Sequence, residues 1–440
     1  MMMFRGPVSR AAAIAGLALA AIVWSAAAEA IDIQKVVSPR GVTAWLVEDH
    51  SIPLISMAFA FEGGAAQDPA DRPGVANMLS GLLDEGAGDL DSEAFQARLD
   101  ALSIDMSFDA GRDVFSGSLR TLSANRDEAA RLLGLALTEP RFDTEPVERI
   151  RAQILTGIKR SERNPGQLAG EALRNATFPG HPYGRSVTGT ADSVAEIAAD
   201  DLKTFRAKTF ARSNLKVAMV GAIDAAAAAA MLDRIFGDLP VKANLVAVPD
   251  VTAKSGGRID IALPVPQTVI HLSLPGITSR DPDLIPAVVA TYILGGGSDS
   301  RLFRAVREER GLAYSVGLGL DTREHSGTVV GGTQTRSDQA EAVIALIGEE
   351  IARFAKDGPT ADELAKAKAY LTGSYALRFV SSSNIASQLL GQQLDGRGID
   401  YVDRRNGLID AVTIDDVRRV SRRLFAVDDL TVVRVGPPES

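Results

Sequence analysis

LKVAMVG, residues 215–221, returns near the end of the chain as LTVVRVG, residues 430–436, an offset of 215 (430 − 215). Each copy is a short apolar run of the length and β-branched character of a buried strand. A second match, Leu155-Thr156-Gly157 against Leu371-Thr372-Gly373, falls at an offset of 216 (371 − 155). Two independent matches at nearly one offset imply an internal duplication. The period is far too long for a solenoid, so the expectation is a tandem pair of α+β domains.

Outward from the repeats, the order of elements agrees. In the first half, strands are expected at 41–46, 55–61, 104–110 and 114–119, before the buried strand at 215–220. Helices are expected over 73–86 (PGVANMLSGLLDEG), 92–102, 126–138 and 145–162, the last ending before Asn164-Pro165. Asp224 caps an alanine-rich helix to Phe236. After the Pro- and Gly-punctuated stretch 241–257, read as a linker, strands follow at 269–274, 312–320, 328–333 and 430–435. Helices of that half are expected at 281–294, 339–356, 360–377 and 414–425. The domains are therefore 31–240 and 258–440.

Composition bounds the function. The 440 residues are 46% hydrophobic and 23% charged, an ordinary globular balance. A net charge of −9 argues against a nucleic-acid surface, which needs a basic stripe. There is no cysteine, so neither disulfides nor thiolate metal ligands exist. Residues 1–30 read as a cleaved export signal: Arg5 and Arg10 precede an apolar core, Ala11 to Trp24, and Ala-x-Ala patterns end at Ala28 and Ala30. The core's fourteen residues (24 − 11 + 1) fall short of the ~20 that span a bilayer. An exported, periplasmic-type location is expected, with no stable membrane span after cleavage.

The stretch LGGGSDSRLFRAVREERGLAYSVGLGL, 294–320, holds two side chains with binding potential. Gly295-Gly296-Gly297 is a turn permitting close backbone approach; no Gly-Lys-Ser/Thr follows, so it is not a phosphate loop. Ser298 to Ser300 should cap a helix of about ten residues ended by Gly311. The strand after it places Leu312, Tyr314, Val316, Leu318 and Leu320 on one face. Arg307 and Tyr314, seven positions apart, could point into one cleft. Taken alone, such an arginine is usually a solvated charge and such a tyrosine usually core.

Tandem α+β halves, HPYGRSVTGT at 181–190, LGGGSDSRLF at 294–303 and REERGLAYSV at 307–316 together resemble the M16 (pitrilysin/insulinase-like) zinc metallopeptidase family. The resemblance implies two M16-type domains of the LuxS/MPP-like kind, each a mixed, mostly antiparallel sheet backed by helices, with paired units clamping a peptide. Catalytic members carry His-x-x-Glu-His on the helix equivalent to 73–86. Histidines at i and i+4 share a helix face and reach one zinc, and the glutamate activates its water. A further glutamate ligand lies 76 positions after the second histidine. At these positions the present chain has Asn77, Ser80, Gly81 and Gly157 (81 + 76). Its four histidines, His50, His181, His271 and His325, cannot restore the motif. No metal or cofactor is expected in this chain.

The resemblance also implies roles for Arg307 and Tyr314: contacting the substrate backbone and the developing oxyanion beside a zinc. The expected protein is thus a zinc-less subunit of a heteromeric M16 peptidase, inactive alone. It would lend Arg307 and Tyr314 to a partner that holds zinc, for peptide hydrolysis. The alternative is a peptide-binding or scaffolding pseudopeptidase of the envelope. HPYGRSVTGT is read as a structural turn with His181 packing or capping.

Overall fold

In a computed structural model, residues 31–438 are described apart from 426, 427 and 429. The expected signal segment, 1–30, lies outside the described residues.

The first half forms a six-stranded sheet from β1 (Gln34–Val37), β2 (Thr43–Glu48), β3 (Leu54–Glu62), β4 (Asp105–Ala110), β5 (Val114–Leu122) and β6 (Leu215–Gly221), in the order β1-β2-β6-β3-β5-β4. The second half forms a five-stranded sheet from β7 (Gly257–Ala262), β8 (Gln267–Pro275), β9 (Ala313–Thr322), β10 (Gly327–Arg336) and β11 (Thr431–Gly436), in the order β7-β11-β8-β10-β9. The two orders superpose once β1 is set aside. The repeated heptapeptides are β6 and β11, the same internal strand in each sheet. Each runs parallel to one neighbour (β2, β7) and antiparallel to the other (β3, β8). Their mostly apolar, mostly buried runs fit strands covered on both faces. The second repeat also behaves alike in both halves: Thr156 donates its hydroxyl to the Ala152 carbonyl at 2.7 Å, and Thr372 to Lys368 at 2.9 Å. Two tandem α+β domains are what the repeats implied, and their mixed sheets are what the resemblance implied.

Inside the first domain, Phe59, Phe61, Phe115, Phe210 and Phe236 fill the space between sheet and helices, with Phe61 and Phe210 stacked at 4.5 Å. Phe59 fits because residue 117 is glycine: a Cβ there would lie 2.4 Å from the ring. The opposite sheet faces are covered by exchange. Helix Ser382–Leu394 of the second half lays Ala386, Leu389 and Leu390 on Trp45, Ala58, Ala218 and Val220. Helix Pro165–Thr177 of the first half lays Ala169 and Leu173 on Val269, Val433 and Val435. Separating the halves would expose both faces, so each domain needs the other's helix.

Neither exchanged helix was expected from sequence. Asn164-Pro165 reads as a stop, yet Asn164 Oδ1 accepts the Gln167 N–H at 3.0 Å and Pro165 takes the first helical position. The dipeptide starts a helix as well as ending one. The stretch 241–257 is irregular but held down. Gln67 clasps Val246 through two 2.8 Å bonds, and Val251 and Lys254 donate to the His325 and Thr177 carbonyls. HPYGRSVTGT supplies another clamp: His181 Nδ1 accepts from Tyr183 N–H at 3.1 Å and its Nε2 meets the Pro249 carbonyl at 3.0 Å. The fully buried Tyr183 hydroxyl donates to Asp113 at 2.6 Å and accepts from His325 N–H of the other half at 3.1 Å.

Candidate functional site

The Arg/Tyr segment starts where Gly295 ends helix Leu284–Gly295; a Cβ there would lie 2.7 Å from the Leu318 nitrogen, so the helix touches β9 backbone to backbone. Ser300 caps the next helix, but the expected ten-residue α-helix does not form. A single turn, Arg301–Phe303, widens into a π-helical stretch, Arg304–Glu308, with Glu309 N–H bonded to Arg304 O at 2.9 Å. Such widened turns favour functional sites because they re-aim a side chain. Gly311, at φ +61°, closes the turn by donating to Arg307 O at 3.0 Å.

The strand that follows departs from simple alternation. Thr333 pairs with Val316 but Thr335 with Ala313, leaving Tyr314 and Ser315 together opposite Gln334. This bulge turns Ala313 to the buried side with Val316 and Leu318, and turns Tyr314 out, 81% exposed. Tyr314 therefore does not share the face of Val316 and Leu318. Arg307 meets it in space: the guanidinium sits 4.5 Å from the Tyr314 ring centre and 5.0 Å from that of Phe303. Among the described residues, neither the Arg307 guanidinium nor the Tyr314 hydroxyl has a hydrogen-bond or ion-pair partner. The aromatic rings fix the guanidinium without consuming its donors.

The positions that carry zinc chemistry in the family sit elsewhere. The helix is Val75–Ser80, not 73–86: Ser80 donates its hydroxyl to Asn77 O at 2.8 Å and Gly81 caps the end. Its start is held by Asp68, a side chain the sequence reading passed over, which accepts from Gly74 N–H at 2.8 Å and Ala76 N–H at 2.9 Å. Burial pushes the Asp68 carboxyl up to about 6, against the pull of those donors, Arg185 and Lys208. Asn77 and Gly157 line one cleft of about 530 Å³; Ser80 and Gly81 do not line it. A Cβ at Gly81 would press on Ile150 at 3.2 Å, whereas one at Gly157 would meet nothing.

The donor set does not fit zinc. An amide, a hydroxyl and two glycines offer neither imidazole nor carboxylate, and the same cleft is lined by Arg112, Arg160 and Arg174 against one carboxylate, Glu171. Among the described residues, no group of three or more His, Cys, Asp or Glu is placed to hold a metal ion. The purified chain, dialysed against buffer, is expected to hold no stoichiometric zinc by elemental analysis; about one zinc per chain would overturn that.

Residues 44–191 match the family model described as insulinase (peptidase family M16), and residues 196–371 match the peptidase M16 inactive domain. The non-peptidase homolog YmxG of Helicobacter pylori is 28% identical over 391 residues, 88% of this chain and 90% of that protein. An uncharacterized zinc protease of Streptomyces coelicolor is 28% identical over 401 residues, 89% of this chain and 86% of that one. A crystal structure of a peptidase M16 inactive domain from Pseudomonas fluorescens superposes with a TM-score of 0.88 at 30% identity, covering 93% of this chain and 98% of that one. The chain with the exchanged helices and the exposed Arg307–Tyr314 pair belongs to the M16, insulinase-like peptidase family.

Proposed function

We propose that this chain is an inactive M16 subunit that completes the active site of a zinc-bearing M16 partner for peptide hydrolysis. The observation that carries the reading is the Arg307–Tyr314 pair: stacked, exposed and with its donors free among the described residues. A guanidinium held this way can give a charge-assisted hydrogen bond to a peptide carbonyl. The Tyr314 hydroxyl can donate to the oxygen that gains charge as that carbonyl is attacked. Activation of water belongs to the partner's zinc, since Asn77, Ser80, Gly81 and Gly157 cannot supply it here. With Tyr314 81% exposed and Arg307 exposed beside it, the pair is open to a second subunit. An exported location goes with the reading of residues 1–30.

Association tests the proposal. Sedimentation of the chain mixed with a zinc-bearing M16 subunit from the same organism should give a stoichiometric complex. If the chain sediments unchanged beside every such subunit, the shared site is ruled out.

A further inference from the structure

The cleft at the lost zinc positions has a charge pattern that the Arg/Tyr reading does not use. Three guanidiniums, Arg112, Arg160 and Arg174, line it against Glu171, a surplus of two positive charges (3 − 1) on a chain whose net charge is −9. Arg174 leaves its Nε shielded from solvent and without a hydrogen-bond partner. Arg112 gives one bond, Nη1 to the Arg185 carbonyl at 2.9 Å. Burial and the neighbouring guanidiniums of Arg323 and Arg174 hold the Arg112 guanidinium down at about 10, against the pull of Asp321 and Asp113. Arg323 gives its Nε and Nη2 to Asp321 but leaves Nη1 shielded and unpaired.

A shielded N–H with no acceptor costs stability, and like charges gathered under partial burial cost more. Both costs are relieved by one anionic acceptor among the guanidiniums, which pair with planar oxyanions in bidentate fashion. At about 530 Å³ the cleft is in the size range of small-ligand sites, about 300–1,000 Å³. Its remaining polar lining, including Asn77, Gln167 and Thr188, is neutral and can bond a peptide backbone.

We propose that this cleft is a binding site for a peptide carboxylate, either an acidic side chain or a free C-terminus. The peptide nature of the ligand rests on the function proposed above. The anion site itself stands on the cleft alone and needs neither the partner nor Arg307.

The test uses the full chain without a partner and three labelled nonapeptides of otherwise neutral sequence, read by fluorescence anisotropy. One has a free C-terminus, one an amidated C-terminus and a central glutamate, and one an amidated C-terminus and no acid. At least one acid-bearing peptide should bind ten- to a hundredfold tighter than the neutral amidated one, and comparing the two shows which carboxylate is read. Arg174→Met should remove that difference and Arg174→Lys should restore part of it. Arg160→Met, at an exposed position where folding is not at stake, should weaken the same binding. Arg98→Gln, remote and paired with Glu128, should not. Equal binding of all three peptides would overturn the proposal. So would acid-dependent binding that survives both Met variants but is lost in Arg307→Ala, since the carboxylate would then sit at the Arg/Tyr pair. Inorganic phosphate that binds as tightly as the acidic peptides and displaces them would also overturn it, as the cleft would read charge alone.

Discussion

Arg307→Ala in the complex with a zinc-bearing partner is expected to slow peptide cleavage about ten- to a hundredfold, with folding and association nearly unchanged. A hydrogen bond from a charged donor contributes roughly 1.5–3 kcal/mol, and each ~1.4 kcal/mol on the barrier is a factor of ten. The side chain is exposed and pairs with no carboxylate among the described residues, so its loss removes no structural bond. Tyr314→Phe keeps the ring that stacks on Arg307 and deletes the hydroxyl alone. If that hydroxyl donates to the oxyanion, kcat falls while KM holds, the mark of an interaction made in the transition state. Leu302→Ala on the same segment is the contrast. Leu302 is fully buried, and its truncation should cost about 2–5 kcal/mol of stability. Wild-type turnover by complexes of both Arg307→Ala and Tyr314→Phe would make the pair a surface charge and a surface ring.

Glu363→Gln is expected to destabilise the second domain by about 1.5–3 kcal/mol at pH 7, because it breaks a partly buried, charge-assisted pair and leaves Arg301 without its counter-charge. Arg301 grips Glu363 through two 2.7 Å bonds, donates a third to Gly358 O at 2.9 Å, and lies over the Phe354 ring. Glu363 also completes the capping box with Thr360. Burial would raise the Glu363 carboxyl, but Arg301 and Thr360 outweigh it and hold it at about 2, against 4.5 ordinarily. A lowered folded-state pKa gives stability that is complete above the unfolded value and lost as pH falls through the folded one. The urea midpoints of wild type and variant should therefore converge from pH 4.5 toward pH 2. Asp68 runs the other way. Its carboxyl, raised from 3.8 to about 6, contributes stability below the lower value that is lost as pH rises through the upper. An undiminished gap between wild type and Glu363→Gln at pH 2 would show that the pair is not the source.

The fold was legible because the duplication is written in the strands that each sheet is built around, β6 and β11, whose apolar runs do not depend on tertiary context. Asp224 and the helix Ala225–Phe236 were legible for a similar local reason: cap and periodicity agree, and Asp224 accepts the Ala227 N–H at 2.8 Å. The exchanged helices were not. What Pro165–Thr177 and Ser382–Leu394 cover lies in the opposite half, and no local pattern records a long-range partner. The bulge at Tyr314 was hidden too, because alternation in the sequence is perfect and the slip is set by pairing with Gln334. Arg307 and Tyr314 were found as a motif, but their stacking came from the π-helical turn. Asp68 and the guanidiniums of the cleft carry no sequence signal, since Arg112, Arg160 and Arg174 converge from separate elements.

Turnover measured in three tubes tests the division of labour most directly: this chain alone, its zinc-bearing partner alone, and the two mixed. Cleavage of a peptide substrate should appear in the mixture, rise to a plateau at the stoichiometric ratio, and be absent from this chain alone. Cleavage by this chain alone, or a mixture no faster than the partner by itself, would contradict it.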